Sequence, residues 1–409
     1  MASEAERTIV TRDGCLPPQG RGMRSMNTEL IAPTYERVRS RAGVKWNRYD
    51  RDVLPAWVAD MDFDPPAAVT DAMRQYLDLG DTGYNIAVRA ELLPAYVDWQ
   101  HRHHRWRPDE QRLRIFTSAL HALETALWCR TNPGDGVVVF TPIYHPFLNA
   151  IADSGRRLVS VPLDPDGWRI NPERLAAAID STTKMVLFCQ PHNPAGRVFD
   201  DDELAAVAEV AERNDLLVVS DEIWGDLTHD RPHQPLATSD DRFAGRLMTL
   251  GSASKSFNLA GLRCAVAHID DAELNRIIGT MPGHLLGASS VMSLVGTHAA
   301  WTLCDDWMAA VKTEITARRD QLARRLASDL PEVTMSPPEA TYLGWLDFRA
   351  TDLGDDPSDR LLKEGRVALS PGPQFGPEGA GFARINFATS AEILDDITDR
   401  ITTLVRSIP

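Results

Sequence analysis

The stretch that decides the fold is TLGSASKSFNLAGLR, residues 249–263. The apolar run at 247–250 predicts a strand that ends in small residues, and Lys255 and then Arg263 follow it. Small residues let the backbone approach a ligand closely, and hydroxyls with free N–H groups suit a phosphate. Lys255 could form a Schiff base with an aldehyde. Taken alone, however, this S-x-x-K pattern is more typical of a solvated lysine beside a turn.

The composition is that of a globular protein with more than one hydrophobic core. A chain of 409 residues exceeds what one core usually serves, so we expect a large and a smaller domain. The net charge of −15 argues against a general nucleic-acid binder and against a binder of anionic membranes. No apolar stretch approaches the length of a membrane span.

The cysteines and the N-terminal residues indicate the cellular compartment that we expect for this protein. The five cysteines form no C-x-x-C pair, and three lie in apolar runs that predict buried thiols. This pattern favours a reducing cytoplasm. Residues 1–27 are polar and rich in glycine and proline, and they lack an apolar signal core. We therefore predict a poorly ordered extension and no export.

From about residue 114 onward, strand patterns alternate with helix patterns. This alternation predicts an α/β domain with a mainly parallel seven-stranded sheet and helices on both faces. The predicted strands are 113–116, 137–140, 158–163, 185–189, 216–220, 247–250 and 265–268. The predicted helices between them lie near 119–130, 145–154, 171–180 and 201–213.

Polar and aromatic residues follow five of these strands. Parallel sheets bind ligands at the carboxyl ends of their strands, so these residues should meet at one edge. Each alone has an ordinary explanation as a helix cap, a turn or a surface group, but five together favour a site. The segments are Thr117–His121 (TSALH) opening a helix, 141–144 ending in Tyr144, 190–196 with Asn193, 221–224 with Asp221, and 251–255 with Lys255.

The C-terminal part has a different pattern. Residues 289–329 predict long helices, and from about 332 short strands and helices predict a small α+β domain. The predicted divisions are an extension at 1–27, a segment at 28–68 that packs on the small domain, a large domain at 69–300 and a small domain at 301–409. Arg384 lies within a predicted apolar strand, where an arginine usually needs an anionic partner. That partner is either a structural carboxylate or the carboxylate of a substrate.

Two further stretches carry candidate polar clusters. In LPAWVADMDFDPP, residues 54–66, Asp60 and Asp62 form a poor metal site, and a solvated, packed loop is the better interpretation. The histidines at 101, 103 and 104 are flanked by arginines and are interpreted as a solvated helix end. No metal ligand is predicted in either stretch.

Four motifs resemble those of fold-type I pyridoxal-phosphate enzymes of the class I/II aminotransferase superfamily. They are H-N-P-A-G at 192–196, S-D-E-I at 220–223, S-A-S-K-S-F-N-L-A-G-L-R at 252–263 and R-I-N-F-A at 384–388. Within the superfamily the chain is most similar to the cystathionine β-lyase-like branch, the cysteine C–S lyases. W-V-A-D-M-D-F at 57–63, T-P-I-Y-H-P-F at 141–147, Y-L-G-W-L-D-F at 342–348 and S-P-G-P-Q-F-G at 370–376 carry this closer resemblance.

The resemblance implies a role for each matching residue around pyridoxal 5'-phosphate. Lys255 forms the covalent link to the cofactor aldehyde and later moves protons, and Asp221 pairs with the ring nitrogen. The remaining implied cofactor contacts are Asn193 at the phenolic oxygen, Tyr144 stacked on the ring, and Ser252, Arg263 and the backbone of Ala119, Leu120 and His121 at the phosphate.

The resemblance also implies a homodimer and a substrate site. Tyr84 would act catalytically and reach the phosphate of the neighbouring subunit. Arg384 would bind the substrate α-carboxylate together with Asn193, and Trp57 would line the substrate pocket. Two departures stand out: Ala119 replaces the usual glycine, so a slightly shifted phosphate loop is expected, and Trp224 replaces the usual histidine or tyrosine after D-E-I.

The predicted function is β-elimination from an S-substituted L-cysteine, which gives a thiol, pyruvate and ammonia. A runner-up is an aminotransferase, in which the same carbanion is reprotonated on the cofactor. A third possibility is decarboxylation-coupled deamination of a cysteine conjugate in secondary metabolism. A non-catalytic ligand sensor is disfavoured because Lys255, Asp221 and Arg384 are all present.

Overall fold

The computed structural model of the chain describes residues 30–83 and 86–408. The strands are β1 (Leu54–Pro55), β2 (Leu113–Phe116), β3 (Gly136–Thr141), β4 (Arg157–Pro162), β5 (Thr183–Cys189), β6 (Leu217–Asp221), β7 (Leu247–Gly251), β8 (Ala265–Ile269), β9 (Leu343–Asp347), β10 (Val367–Ala368), β11 (Ser370–Pro371) and β12 (Phe382–Asn386). The predicted extension at 1–27 lies outside the described residues.

Helices flank these strands along the whole described chain. They are α1 (Tyr35–Arg39), α2 (Val44–Asn47), α3 (Ala67–Asp78), α4 (Ile86–His104), α5 (Ala119–Arg130), α6 (His145–Asp153), α7 (Pro172–Ala178), α8 (Asp201–Arg213), α9 (Leu236–Ser239), α10 (Ala253–Ser256), α11 (Ala272–Thr280), α12 (Val291–Leu303), α13 (Asp305–Asp329), α14 (Pro357–Lys363) and α15 (Ala391–Ser407). None of these described helices combines the length and apolar character that crossing a bilayer requires.

The central sheet has seven strands in the order β2-β8-β7-β6-β5-β3-β4, which confirms the predicted fold class. Neighbouring strands run parallel except β8, which is antiparallel to both β2 and β7. Strand β3 shows why the sheet is covered on both faces: Val137 and Val139 belong to one buried apolar cluster, and Val138 and Phe140 to another. Such continuous apolar runs are typical of parallel strands between two helix layers.

A smaller sheet, β11-β12-β9, is antiparallel and forms with the C-terminal part of the chain. Helix α15 places Ile393, Ile397, Ile401 and Leu404 on one buried face, at the spacing of three to four residues that an amphipathic helix requires. In β12, Arg384 lies opposite Ser370 of β11 and Trp345 of β9. The small sheet therefore presents Arg384 between two neighbouring strands.

The segment at 57–63, called the strap below, contacts both the central and the small sheet regions. It accepts hydrogen bonds from Lys255, which follows β7, and from Arg384 of β12. It follows β1, which pairs in parallel with β10. Asp62 of the strap is not solvated, contrary to the prediction, because its side chain is 1% exposed and forms an ion pair with Lys45 at 2.9 Å. Trp46 donates its indole N–H to the same carboxylate at 2.7 Å. Asp62 therefore has a structural role, because it holds the strap to Lys45 and Trp46.

The histidine-rich end of α4 also differs from the prediction. His104 is not solvated: its side chain is 7% exposed and lies 2.8 Å from Asp226. His103 stacks on Trp99, with 3.8 Å between ring centroids. The prediction was wrong for His104 because the last turn of α4 packs against the turn that follows β6, and sequence spacing does not reveal this contact.

Candidate functional site

The predicted site segments come together at one edge of the central sheet. Strand β2 runs parallel to β7 because each is antiparallel to β8. The carboxyl ends of β2, β3, β5, β6 and β7 therefore point the same way. Ser289 reinforces this edge, since its hydroxyl lies within hydrogen-bond reach of the carbonyls of Phe116 at 3.3 Å and Arg263 at 3.4 Å.

Lys255 lies in the one-turn helix α10, immediately after β7. Its Nζ donates a hydrogen bond to the carbonyl of Ala59 in the strap at 3.0 Å. Burial lowers the pKa of Lys255, the positive charge of Arg384 lowers it further, and the negative charges of Asp60 and Asp221 oppose the shift. The amine can therefore reach its neutral, basic form more easily than a solvated lysine can.

Asp221 is the last residue of β6 and pairs in register with Cys189 of β5 and Leu250 of β7. Burial raises the pKa of its carboxyl group to about 7, although the amide of Ile223 and the charge of Lys255 oppose the shift. The charges of Asp221 and Lys255 thus shift each other's pKa.

Tyr144 and Asn193 occupy neighbouring loops. The amide of Tyr144 donates to the carbonyl of Asn193 at 3.1 Å, which joins the loops after β3 and β5. Burial raises the pKa of the Tyr144 hydroxyl, and the charges of Arg384, Asp221 and Arg263 all act on it. Two of these charged groups, Asp221 and Arg263, are predicted cofactor contacts, and the third, Arg384, is the predicted substrate contact.

Arg384 is 4% exposed and is held by three neutral acceptors. Its guanidinium donates to Asn193 Oδ1 at 3.0 Å, to the carbonyl of Trp57 at 3.0 Å and to Ser370 Oγ at 3.1 Å. Burial lowers the pKa of Arg384 to about 10, so it remains charged at neutral pH. Within residues 30–83 and 86–408, no carboxylate pairs with it. The structural carboxylate, one of the two partners predicted for this arginine, is therefore not found among these residues.

The opposite end of the site holds Ser252, Ser254 and Arg263. The hydroxyl of Ser252 donates to the carbonyl of Cys264 at 2.6 Å and contacts the hydroxyl of Ser254 at 2.8 Å. Arg263 is exposed and has a left-handed backbone with φ of 61°. Hydroxyls, an exposed guanidinium and a nearby helix N-terminus suit an anion such as a phosphate.

Helix α5 begins at Ala119 beside this end of the site. Ser118 caps it by accepting the amide of His121 at 3.1 Å, so this amide already has an acceptor. The amides of Ala119 and Leu120 have no acceptor within their own helix, as is usual for a first turn. The geometry thus supports Ala119 and Leu120 as anion donors better than His121.

The two tryptophans of the predicted pocket play different parts. Trp57 contributes its carbonyl, which accepts from Arg384 and from Ser370, whereas its ring lies 6.0 Å from that of Tyr49. The Trp224 ring is 2% exposed and lies 5.7 Å from Lys255 Nζ. The ring that replaces the usual histidine or tyrosine is therefore part of the buried wall beside the lysine.

Several groups at the site were not predicted as site residues. The carbonyl of Ala59 accepts hydrogen bonds from both Lys255 and the hydroxyl of Tyr342, the latter at 2.9 Å. Ser370 supports Arg384. No sequence signal could assign a backbone carbonyl, although the motifs at 57–63, 342–348 and 370–376 mark the segments that carry these groups. Tyr84 lies outside the described residues, so its predicted role stays a prediction.

Comparison with known proteins places this geometry in a family. Residues 47–401 match the family model of aminotransferase class I and II. The cystathionine β-lyase PatB of Bacillus subtilis is 34% identical over 88% of this chain and 95% of its own length. The protein MalY of Escherichia coli is 32% identical over 82% of this chain and 87% of its own length.

A solved structure has the same fold. Cystalysin from Treponema denticola, whose crystal structure contains a pyridoxal 5'-phosphate cofactor, superposes with a TM-score of 0.88 at 26% identity over 93% of this chain and 99% of its own. The family match covers most of the chain and includes both the lysine segment and the strand that carries Arg384. The chain therefore belongs to the class I and II aminotransferase family.

Proposed function

We propose that this protein is a pyridoxal 5'-phosphate-dependent C–S lyase that cleaves S-substituted L-cysteines by β-elimination. The observation that carries the proposal is a buried Arg384 that has no carboxylate partner among the described residues, near a half-buried Lys255 and a buried Asp221. The names of the relatives support the reaction type, since PatB is a cystathionine β-lyase. The cofactor agrees with the one bound by cystalysin.

The residues present fit this cofactor. Lys255 would hold its aldehyde carbon, and Asp221 would hold a proton at the ring nitrogen. Asn193 and Tyr144 would contact the ring, and Arg263, Ser252 and the first amides of α5 would hold the phosphate. When bound, the cofactor supplies an electron sink that stabilises the negative charge left at the substrate Cα after deprotonation.

Substrate binding would depend mainly on Arg384. A planar guanidinium binds a carboxylate through two hydrogen bonds, which fixes the orientation as well as the position of the ligand. Asn193 and Ser370 already hold this guanidinium in place, so little reorganisation is needed when the substrate arrives. The α-carboxylate bound there would bring the Cα proton toward Lys255.

Proton transfer would then depend on Lys255. Because burial lowers its pKa, more of the free amine is in the neutral form that can accept the Cα proton than in a solvated lysine. The β-carbon–sulfur bond breaks, the electron pair leaves with the sulfur as a thiolate, and a proton gives the thiol. Water hydrolyses the three-carbon remainder to pyruvate and ammonia, so that substrate plus water balances thiol, pyruvate and ammonia.

The test is to incubate the purified protein, loaded with cofactor, with cystathionine and a panel of S-substituted cysteines. Thiol and pyruvate are expected in equal amounts. Lys255→Ala should lower kcat by about 10³-fold or more because the proton-transferring base is lost. Lys184→Ala, at an exposed lysine on β5 of the same sheet, is the matched control and should leave kcat unchanged. Conversion of the cofactor to its stable pyridoxamine form, without thiol release, would instead indicate an aminotransferase.

We further propose a homodimer in which the segment around Tyr84 reaches the partner subunit. Large apolar side chains are exposed at Leu79 (60%), Ile86 (63%) and Leu285 (65%). Ile86 also lines a cleft of about 700 Å³, together with Gly83 and Ser289 among others. Ser289 also contacts the carbonyl of Arg263, so the cleft borders the proposed phosphate end. A monomer mass in light scattering would contradict this proposal.

We also propose domain divisions at 69–300 and 301–409, because the seven-stranded sheet lies before residue 300 and the three-stranded sheet lies after it.

A cytoplasmic location is also proposed. The four described cysteines are free thiols, as a reducing compartment would keep them.

A further inference from the structure

A buried carboxylate outside the proposed cofactor contacts lies behind the lysine helix. Asp226 follows β6 by five residues, and its side chain is 10% exposed. Its Oδ1 accepts hydrogen bonds from Trp99 Nε1 at 3.0 Å and lies 2.8 Å from His104 Nε2. Its Oδ2 accepts from Ser256 Oγ at 2.6 Å. One carboxylate thus joins α4 to the helix that carries Lys255.

The lysine helix needs support from outside because it is a single turn. Helix α10 has four residues, and a helix this short is not stable on its own. On one side, Asn258 holds the segment that follows it to the strap, with hydrogen bonds to Met61 and to the carbonyl of Phe63 at 2.8–3.1 Å. On the other side, the fully buried Ser256 is held by Asp226.

The charges around Asp226 keep it ionised. Burial would raise its pKa, but the hydrogen bond and charge of His104, together with Ser256 and Trp99, lower it to about 2. Other titratable groups face this cluster. They are His233, whose ring lies 5.3 Å from that of His104, Glu222, which is 2.8 Å from His233, Tyr96, and Lys312 of α13.

We propose that Asp226, held by Trp99 and His104, is a positioning residue that fixes Lys255 through the hydroxyl of Ser256. The proposal rests on the proposed role of Lys255 as the cofactor lysine. In that role the side chain alternates between a bound and a free state, and its Nζ must return to the same place each time. A helix held on both sides keeps that place constant, which matters because small misplacements of a reacting group cost large factors in rate.

The test compares Ser256→Ala, which removes the link, with Ser256→Thr, which retains the hydroxyl. The matched control is Asp305→Asn, which breaks the contacts of Arg102 and His103 at the same end of α4 and does not touch α10. Three quantities are measured on the cofactor-loaded protein: Tm, the pH midpoint of the absorbance change of the cofactor–lysine link, and kcat and KM with an S-substituted cysteine.

Ser256→Ala should shift the pH midpoint by about 0.3 units or more and lower kcat about tenfold, with KM within about twofold, because a hydrogen bond to a buried charge is lost. Ser256→Thr should restore the midpoint and kcat to near wild-type values. Asp305→Asn should change Tm alone. If Ser256→Ala lowers Tm but leaves the midpoint and kcat as in Asp305→Asn, the positioning role is refuted and Asp226 only stabilises the fold.

A second variant decides the matter if Ser256→Ala fails to fold. Asp226→Ala removes the acceptor of the Ser256 hydroxyl and so breaks the same link from its other end, and the same shift in midpoint is expected. An unchanged midpoint would overturn the proposal. The pH midpoint is measured without substrate, so it tests the positioning role even when the wild type releases no thiol. A wild type without any absorbance from a cofactor–lysine link would refute the proposed role of Lys255 itself.

Discussion

The two ends of the site hold their arginines in opposite ways. At the carboxylate end, made by Arg384, Asn193 and Ser370, the guanidinium is buried and all three of its hydrogen bonds go to neutral acceptors. At the phosphate end, made by Ser252, Ser254 and Arg263, the guanidinium is exposed, and the two hydroxyls contact each other. The first end is pre-organised, whereas the second retains freedom.

The difference fits what each end is proposed to bind. A substrate arrives and leaves in every turnover, so a fixed, desolvated guanidinium lowers the cost of ordering it each time. A cofactor that stays bound can order an exposed arginine once. Burying Arg384 is costly for the fold, and its neutral acceptors reduce that cost without neutralising the charge that a carboxylate needs.

The largest effect is expected at the carboxylate end. Arg384→Lys should lower kcat/KM for S-substituted cysteines by about 10²–10³-fold, because lysine cannot reproduce the two-pronged contact and leaves buried acceptors unpaired. Cofactor absorbance should be retained. Steady-state kinetics measure the loss.

The matched control is Arg366→Lys, since Arg366 is a partly exposed arginine whose partners, Asp50 and Asp52, are exposed. Its kcat/KM should stay within about twofold of the wild type, as expected for a surface ion pair. Equal losses in both variants would show that burial and pre-organisation of Arg384 do not matter.

A smaller effect is expected at the phosphate end. Arg263→Gln should raise the dissociation constant of the cofactor about tenfold, because one charge-assisted contact to the phosphate is lost, while kcat at saturating cofactor stays near wild type. Fluorescence titration of the cofactor-free protein measures this constant. Arg276→Gln, at an exposed arginine paired with Glu273, should leave it unchanged. A loss of kcat without loss of cofactor affinity would contradict the division between the two ends.

The smallest effect is expected at Asp221, between the two ends. In the cofactor-free protein, burial raises the pKa of this group to about 7 from its ordinary value of 3.8. The folded state therefore binds more protons than the unfolded state between these values, and the free energy of unfolding falls as the pH rises through this range.

Asp221→Asn has no carboxyl group at this position, so its free energy of unfolding does not fall with rising pH for this reason. Its Tm should match the wild type near pH 4 and exceed it by about 2–5 °C at pH 8, as measured by differential scanning fluorimetry of the cofactor-free proteins. Asp201→Asn, at an exposed aspartate of α8, should show no such trend. A Tm difference that shrinks as the pH rises would mean that Asp221 is ionised and stabilised in the folded chain.

Much of the fold followed from patterns that need no tertiary contact. The strand at 247–250 is observed as Leu247–Gly251, and the helix predicted at 201–213 is observed with those bounds. Apolar runs of this kind can only be buried between two layers, and the capping box of Asp200 and Glu203 fixes where α8 begins. The site segments were predictable for the same reason, because parallel strands place their carboxyl ends at one edge.

Other features depended on which surfaces come into contact. His104 and Asp62 looked like solvated residues, yet the side chain of each is buried against a partner from another segment of the chain, Asp226 and Lys45 respectively. Spacing along the chain carries no information about such partners, since burial of a charged group is favourable only when a specific opposite charge or hydrogen bond meets it.

The sequence by itself determined the parallel sheet, the lysine after β7, the acid that ends β6 and the arginine within an apolar strand. Periodicity and strand ends are local properties, and they are read directly from the order of residues. Only the tertiary structure decided that Arg384 lacks a carboxylate partner among the described residues, that Ala59 accepts from Lys255, and that Asp226 holds the lysine helix from behind. Those facts depend on distances between segments that lie between about 30 and 200 residues apart in the chain, and only packing sets such distances.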